Sequence, residues 1–200
     1  MLSLKEGERL VRLARSAVEK FFEKGKLEIE KVEDRVLKER KGVFVTIETF
    51  PEKNLRGCIG FPHPASPLFE AVQRAAYCSA FEDTRFDPLK KEEIDKIVFE
   101  ISVMTKPELI EVKDPKEYFE KIEIGRDGLI LMNEYRGSLL LPQVPLIFDW
   151  DVKEFLENLF YKAGLTLSWI YDRNTRIWKF QAQIFAEKEP RGKVIERILK

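Results

Sequence analysis

Residues 43–60 constrain the fold more than any other stretch. Val43-Phe44-Val45-Thr46-Ile47-Glu48-Thr49 is rich in β-branched and aromatic residues and is opened by Gly42. Such a run reads as a strand. Pro51 to Asn54 reads as a turn, and Leu55-Arg56-Gly57-Cys58-Ile59-Gly60 follows as the partner strand of a hairpin. In an extended chain alternate side chains share a face. Arg56 and Cys58 are therefore expected on one face, with Leu55 and Ile59 on the other. Gly57 removes bulk between Arg56 and Cys58, so that another backbone or a ligand can come close.

Two readings of the hexapeptide stay open. A cation beside a thiol raises its thiolate fraction, which makes Arg56 and Cys58 a small reactive or anion-holding site. Alternatively the segment is a tight structural crossing, with Cys58 as a small buried apolar residue.

The rest of the chain supplies helices and more strands. Apolar residues from Leu10 to Phe22 recur at helical spacing, with Ser3 and Glu6 as a capping box and Gly25 as a stop. Residues 26–41 read as a solvated connector or short helix. Residues 66–81 form a second helix, with Ser66 as its cap, Pro67 at its first position and Cys78 in its core. Residues 97–104 alternate cleanly and put Glu100 on the less apolar face of a strand. Asp114 and Pro115 open a short helix to about residue 121. Residues 122–144 read as short strands with turns at Gly125-Arg126-Asp127-Gly128 and Tyr135-Arg136-Gly137. Gln143, between two prolines, is held in a fixed loop. Asp151 caps a third long helix that Gly164 ends, residues 166–171 read as extended, 176–187 as one late strand, and 193–200 as a basic amphipathic turn. Helices and strands do not alternate as parallel βαβ units would. This predicts an α+β fold, with antiparallel sheets and flanking helices.

Composition narrows the function. Thirty-five basic and 35 acidic residues cancel to zero net charge, where a phosphate-neutralising nucleic-acid binder shows a basic excess. Lys and Glu dominate the charge, a profile that resembles proteins from hot environments. Two cysteines, Cys58 and Cys78, and one histidine, His63, leave no metal site of the usual spacing and no disulfide framework. No cofactor is called for. The N-terminus lacks an apolar signal core and no long apolar stretch exists, so a soluble cytoplasmic protein is expected. His63 lies on a loop five residues after Cys58, and with Glu100 it is a candidate base for the thiol. Arg85, in Glu82-Asp83-Thr84-Arg85-Phe86, is either a surface ion pair or an anion contact on a loop beside the hairpin.

The hexapeptide resembles the signature of the AMMECR family. Ser79-Ala80-Phe81-Glu82-Asp83-Thr84-Arg85-Phe86, Glu100-Ile101-Ser102-Val103, Leu141-Pro142-Gln143-Val144, Trp150 and Lys162-Ala163-Gly164-Leu165 resemble its later blocks. The resemblance runs over nearly the whole chain. It implies a single domain over 1–200 in two unequal lobes, with the hexapeptide near the cleft between them. It implies no particular reaction. Family members occur beside Memo-like proteins and radical S-adenosylmethionine enzymes, which makes such a protein a possible partner. The resemblance carries over Arg56, Gly57, Cys58, Gly60, Arg85 and Gln143. Some relatives have a cysteine just before Lys-Ala-Gly, where this chain has Phe160-Tyr161; that bears on any mechanism needing a second thiol there. The first expectation is a module that binds a small anionic ligand, or a partner's acidic segment, at Arg56, Cys58 and Arg85. A cysteine-dependent enzyme using Cys58 is the alternative, and a structural interaction protein the third.

Overall fold

The structure, a computed structural model, describes residues 1–63, 65–134 and 136–199. Pro64, Tyr135 and Lys200 lie outside the described residues. With them go part of the expected loop around His63, part of the turn at Tyr135-Arg136-Gly137, and the last residue of the expected C-terminal turn. In chain order the helices are α1 (Leu4–Lys24), α2 (Leu68–Phe81), α3 (Tyr118–Lys121), α4 (Val144–Ile147) and α5 (Val152–Lys162). The strands are β1 (Val43–Thr49), β2 (Leu55–Phe61), β3 (Ile97–Met104), β4 (Glu108–Leu109), β5 (Gly128–Met132), β6 (Gly137–Leu140), β7 (Arg176–Phe180), β8 (Ala182–Glu187) and β9 (Val194–Arg197). They form two sheets, ordered β2-β1-β3-β8-β9 and β4-β7-β5-β6. The strand pairs with a defined register are antiparallel, and the fold is α+β.

The chain divides into two compact units, Met1–Met104 with Gln183–Ile198, and Thr105–Ala182 with Leu199–Lys200. In the first, one face of the sheet carries Val43, Val45, Ile47, Phe99, Ile101 and Val103, all buried against the apolar stripes of α1 and α2. The capping box of Ser3 and Glu6 starts α1, and Gly25 at φ 69° ends it. Arg15 of α1 is buried and clamps Glu187 of β8, with Nε donating to Oε1 at 2.8 Å. Its Nη2 also donates to the carbonyl of Ile97 at 2.7 Å. This buried carboxylate is matched by a charged partner, as burial requires.

In the second unit α5 places Phe155, Leu156, Leu159 and Phe160 over Leu129, Leu131 and Ile177. Asp151 caps α5 through a capping box with Glu154, as its sequence predicts.

Several local expectations are corrected. Helix α2 begins at Leu68 with Pro67 as its N-cap, and Ser66 makes no cap. Residues 167–171 form a 3-10 helix instead of extended chain. Residues 176–187 are two strands in different sheets, broken where Gln181 and Thr105 hold each other's backbone. Alternation continues through such a break, so periodicity cannot reveal it. The C-terminal stretch expected as a turn contains β9, and Gln143 takes the N-cap position of α4 instead of a loop.

Candidate functional site

β2 is an edge strand, paired with β1 on one side. Helix α2 crosses it so closely that a Cβ on Gly57 would sit 2.0 Å from the Ser79 carbonyl oxygen. The Ser79 hydroxyl accepts from the Ile59 N–H at 2.8 Å and donates to the Val45 carbonyl at 2.8 Å. It thereby stands in the β1–β2 ladder. A Cβ on Gly60 would meet the Phe44 ring at 2.3 Å and the Val43 carbonyl at 2.5 Å. The space beside Gly57 is taken by the backbone of α2, one of the two close approaches expected there, and the space beside Gly60 by β1 and the Phe44 ring.

The register sets the remaining side chains. Ile47 pairs with Gly57 and Glu48 with Leu55, so Arg56 is an extra residue on β2. Such a bulge re-aims a side chain. The strict alternation expected at Leu55–Gly57 fails here, and Arg56 turns toward the loop after α2. Its Nε and Nη2 donate to the Glu93 carboxylate at 2.7 and 3.1 Å, and its Nη1 to the Asp87 carbonyl at 2.9 Å. Arg56 holds the Glu93 carboxyl below its usual range.

Cys58 is half-buried, and its backbone is held on the outer edge by the same loop. The Cys58 N–H donates to Asp83 Oδ2 at 2.8 Å, and Arg85 Nη2 donates to the Cys58 carbonyl at 3.2 Å. Asp83 and Arg85 thus satisfy the groups that a neighbouring strand would take, which protects the edge. Arg85 Nε and Nη2 grip Asp83 Oδ1 and Oδ2 at 2.9 and 2.7 Å. Asp83 also accepts from the Arg85 N–H, the local bond that lets aspartate shape a turn. The Arg85 contact, outweighing burial and aided by the Cys58 N–H, lowers the Asp83 carboxyl to about 2. Thr46 Oγ1 lies 3.3 Å from the Cys58 sulfur.

The structure therefore brings Cys58 and Arg85 together, and it commits Arg56 to Glu93. Glu100 shares a sheet row with Cys58: Cys58 pairs with Thr46, and Thr46 with Glu100. Two strand spacings, about 10 Å, separate the ends of that row. Glu100 is buried and receives a hydrogen bond from Arg197 Nη1. His63 is exposed in the bend after β2. Gln143 is a buried residue of the second unit. Cys78, expected in the core, is half-buried; burial, then Glu82, pushes its thiol up to about 12. Sequence reasoning gives no role to Thr46, Ser79 or Glu93, whose contacts to β2 are long-range, whereas Asp83 stands two residues before Arg85 and is the partner of the ion pair read there.

Among the described residues no group of three or more His, Cys, Asp and Glu could hold a metal ion. No described helix is long and apolar enough to cross a membrane.

A family model described as AMMECR1 matches residues 11–185. The chain is 49% identical to "Protein MJ0810" of Methanocaldococcus jannaschii, over 100% of this chain and 98% of that protein. It is 49% identical to "Protein MK0488" of Methanopyrus kandleri, over 99% and 96%. Among solved structures it is similar to uncharacterized protein PH0010 from Pyrococcus horikoshii, with a TM-score of 0.92 and 48% identity, covering 96% of this chain and 97% of that one.

Proposed function

The chain belongs to the AMMECR1 family, and from its own geometry we propose that it is a cytoplasmic binding module that takes a small oxyanion, carboxylate or phosphate, at Arg85 beside Cys58. The observation that carries this reading is the posture of Arg85. Its Nε and Nη2 are fixed by a buried carboxylate, while its side chain stays 54% exposed. The guanidinium also lies over the Phe86 ring, 5.4 Å from its centroid, and a guanidinium suits planar oxyanions. Prior fixation lowers the ordering cost of binding. Asp83 offsets the charge, so the site favours a small, directional ligand over a polyanion.

The test is a thermal-shift titration with inorganic phosphate and with citrate. Wild type is expected to gain stability with anion concentration, by about 2.7 kcal/mol at a hundredfold excess over Kd. Arg85→Ala is expected to lose that dependence. Equal gains in both proteins, or none in either, would reject the reading.

A thiol-dependent enzyme is the second reading, favoured by the Thr46 hydroxyl and the Arg85 guanidinium at the same residue. It requires a Cys58 that iodoacetamide alkylates readily near neutral pH. Alkylation only after denaturation would remove it.

A further inference from the structure

In the second unit the chain after Pro145 makes an apolar knuckle. Leu146, Ile147 and Phe148 are consecutive and are 36%, 67% and 60% exposed. Single exposed apolar residues are ordinary, whereas a contiguous group marks an interaction surface. Phe148 stacks on Trp150, with centroids 4.9 Å apart and planes 19° from parallel. Asp149 between them has φ 54°, the left-handed region, which a non-glycine residue occupies at a cost. The turn is pinned by the Trp150 N–H, which donates to the Pro145 carbonyl at 2.9 Å. The exposed Phe148 ring is thus ordered, backed by Trp150, which packs in part against the core of this unit.

The charges around the knuckle are one-sided. Asp149, Asp151 and Glu154 are exposed. Lys153 is the cation among them, and it lies 3.7 Å from Glu157. The turn at Gly125 lies beside Leu146, whose methyls a Cβ on Gly125 would meet at 3.3 Å, but its neighbour Arg126 is paired with Glu123 and Asp127.

We infer that this knuckle docks a protein partner that presents arginine within an apolar segment. A guanidinium stacks on an exposed aromatic face and at the same time pairs with a flanking carboxylate, and lysine does this less well. Leu146 and Ile147 receive the aliphatic neighbours. Aromatic anchors with a polar rim are the usual core of an interface. The acidic collar repels nucleic acid and anionic membrane. A twofold contact between copies would set collar against collar, which disfavours self-association here.

The test uses two synthetic peptides, one alternating Leu and Arg and one with Glu in place of Arg. Backbone amide shifts are followed by NMR on the full chain. The Leu/Arg peptide is expected to shift residues 146–151 saturably, and the Leu/Glu peptide to leave them in place. Phe148→Ser and Asp149→Asn are each expected to weaken binding about tenfold. The wild-type comparison of the two peptides stands even if a variant folds poorly. Three results would overturn the inference: indifference of these amides to the Leu/Arg peptide, equal response to both peptides, or a dimer in solution that Phe148→Ser dissolves.

Discussion

Two guanidinium–carboxylate pairs stand beside β2, and they are built inside out relative to each other. In the Arg56–Glu93 pair the cation is the buried partner, with its side chain 15% exposed against 32% for the acid. In the Arg85–Asp83 pair the acid is buried at 4% and the cation is 54% exposed. Both are near-ideal bidentate contacts. Only the second leaves the cation as the exposed partner, in contact with the backbone carbonyl of the half-buried Cys58. The difference shows that an arginine in a sequence signature can be taken up in anchoring a strand to a loop. The first pair anchors the strand to the loop, and the second leaves its cation more than half exposed.

The comparison breaks most violently from behind, where β2 meets α2. Gly57→Ala would drive a methyl into the Ser79 carbonyl, a contact that backbone must relieve. Overpacking of this kind costs about 3 kcal/mol, and the melting midpoint should drop by about 10 °C. Both arginine pairs would be disturbed together. A variant as stable as wild type would show that the α2 crossing does not set the strand.

Asp83→Asn acts on one pair alone. The folded carboxyl lies near 2, below its unfolded value of about 3.9. Its stabilisation is therefore present above about pH 4 and is lost as pH falls toward 2. It is worth about 2 kcal/mol at neutral pH. The gap between wild type and variant in denaturant titrations should be full at pH 7 and nearly closed at pH 2. A gap independent of pH would contradict the ionised pair.

Arg56→Ala should cost less, about 1 kcal/mol, because Glu93 keeps access to water once it loses its partner. It should leave any phosphate-dependent thermal shift intact. Loss of that shift in this variant, with retention in Arg85→Ala, would invert the comparison.

How much of this was legible follows from the range of the forces involved. The hairpin, the capping boxes of α1 and α5, and the faces of β3 depend on neighbours a few residues apart, and local pattern shows them. The bulge at Arg56 depends on the register against β1, which no pattern in residues 55–60 encodes. Glu93 comes from 37 residues beyond Arg56, and Ser79 from 20 beyond Ile59. Arg85 was visible as a loop cation, and Asp83 as its neighbour, but their docking on the Cys58 backbone is tertiary. Glycine at 57 marks a point of close approach in the sequence itself. What approaches the two glycines, a helix carbonyl at Gly57 and an aromatic ring at Gly60, is set by tertiary packing that no local pattern encodes.

The central claim is that an oxyanion binds Arg85 beside the sulfur of Cys58. The most direct measurement is the rate of iodoacetamide alkylation at Cys58, located by mass spectrometry, with and without inorganic phosphate at constant ionic strength. Cys78, its thiol pushed up to about 12, serves as the slow internal reference. Phosphate should slow Cys58 saturably in wild type and leave Arg85→Ala unaffected. A Cys58 rate indifferent to phosphate in wild type, or equal protection without Arg85, would contradict the account.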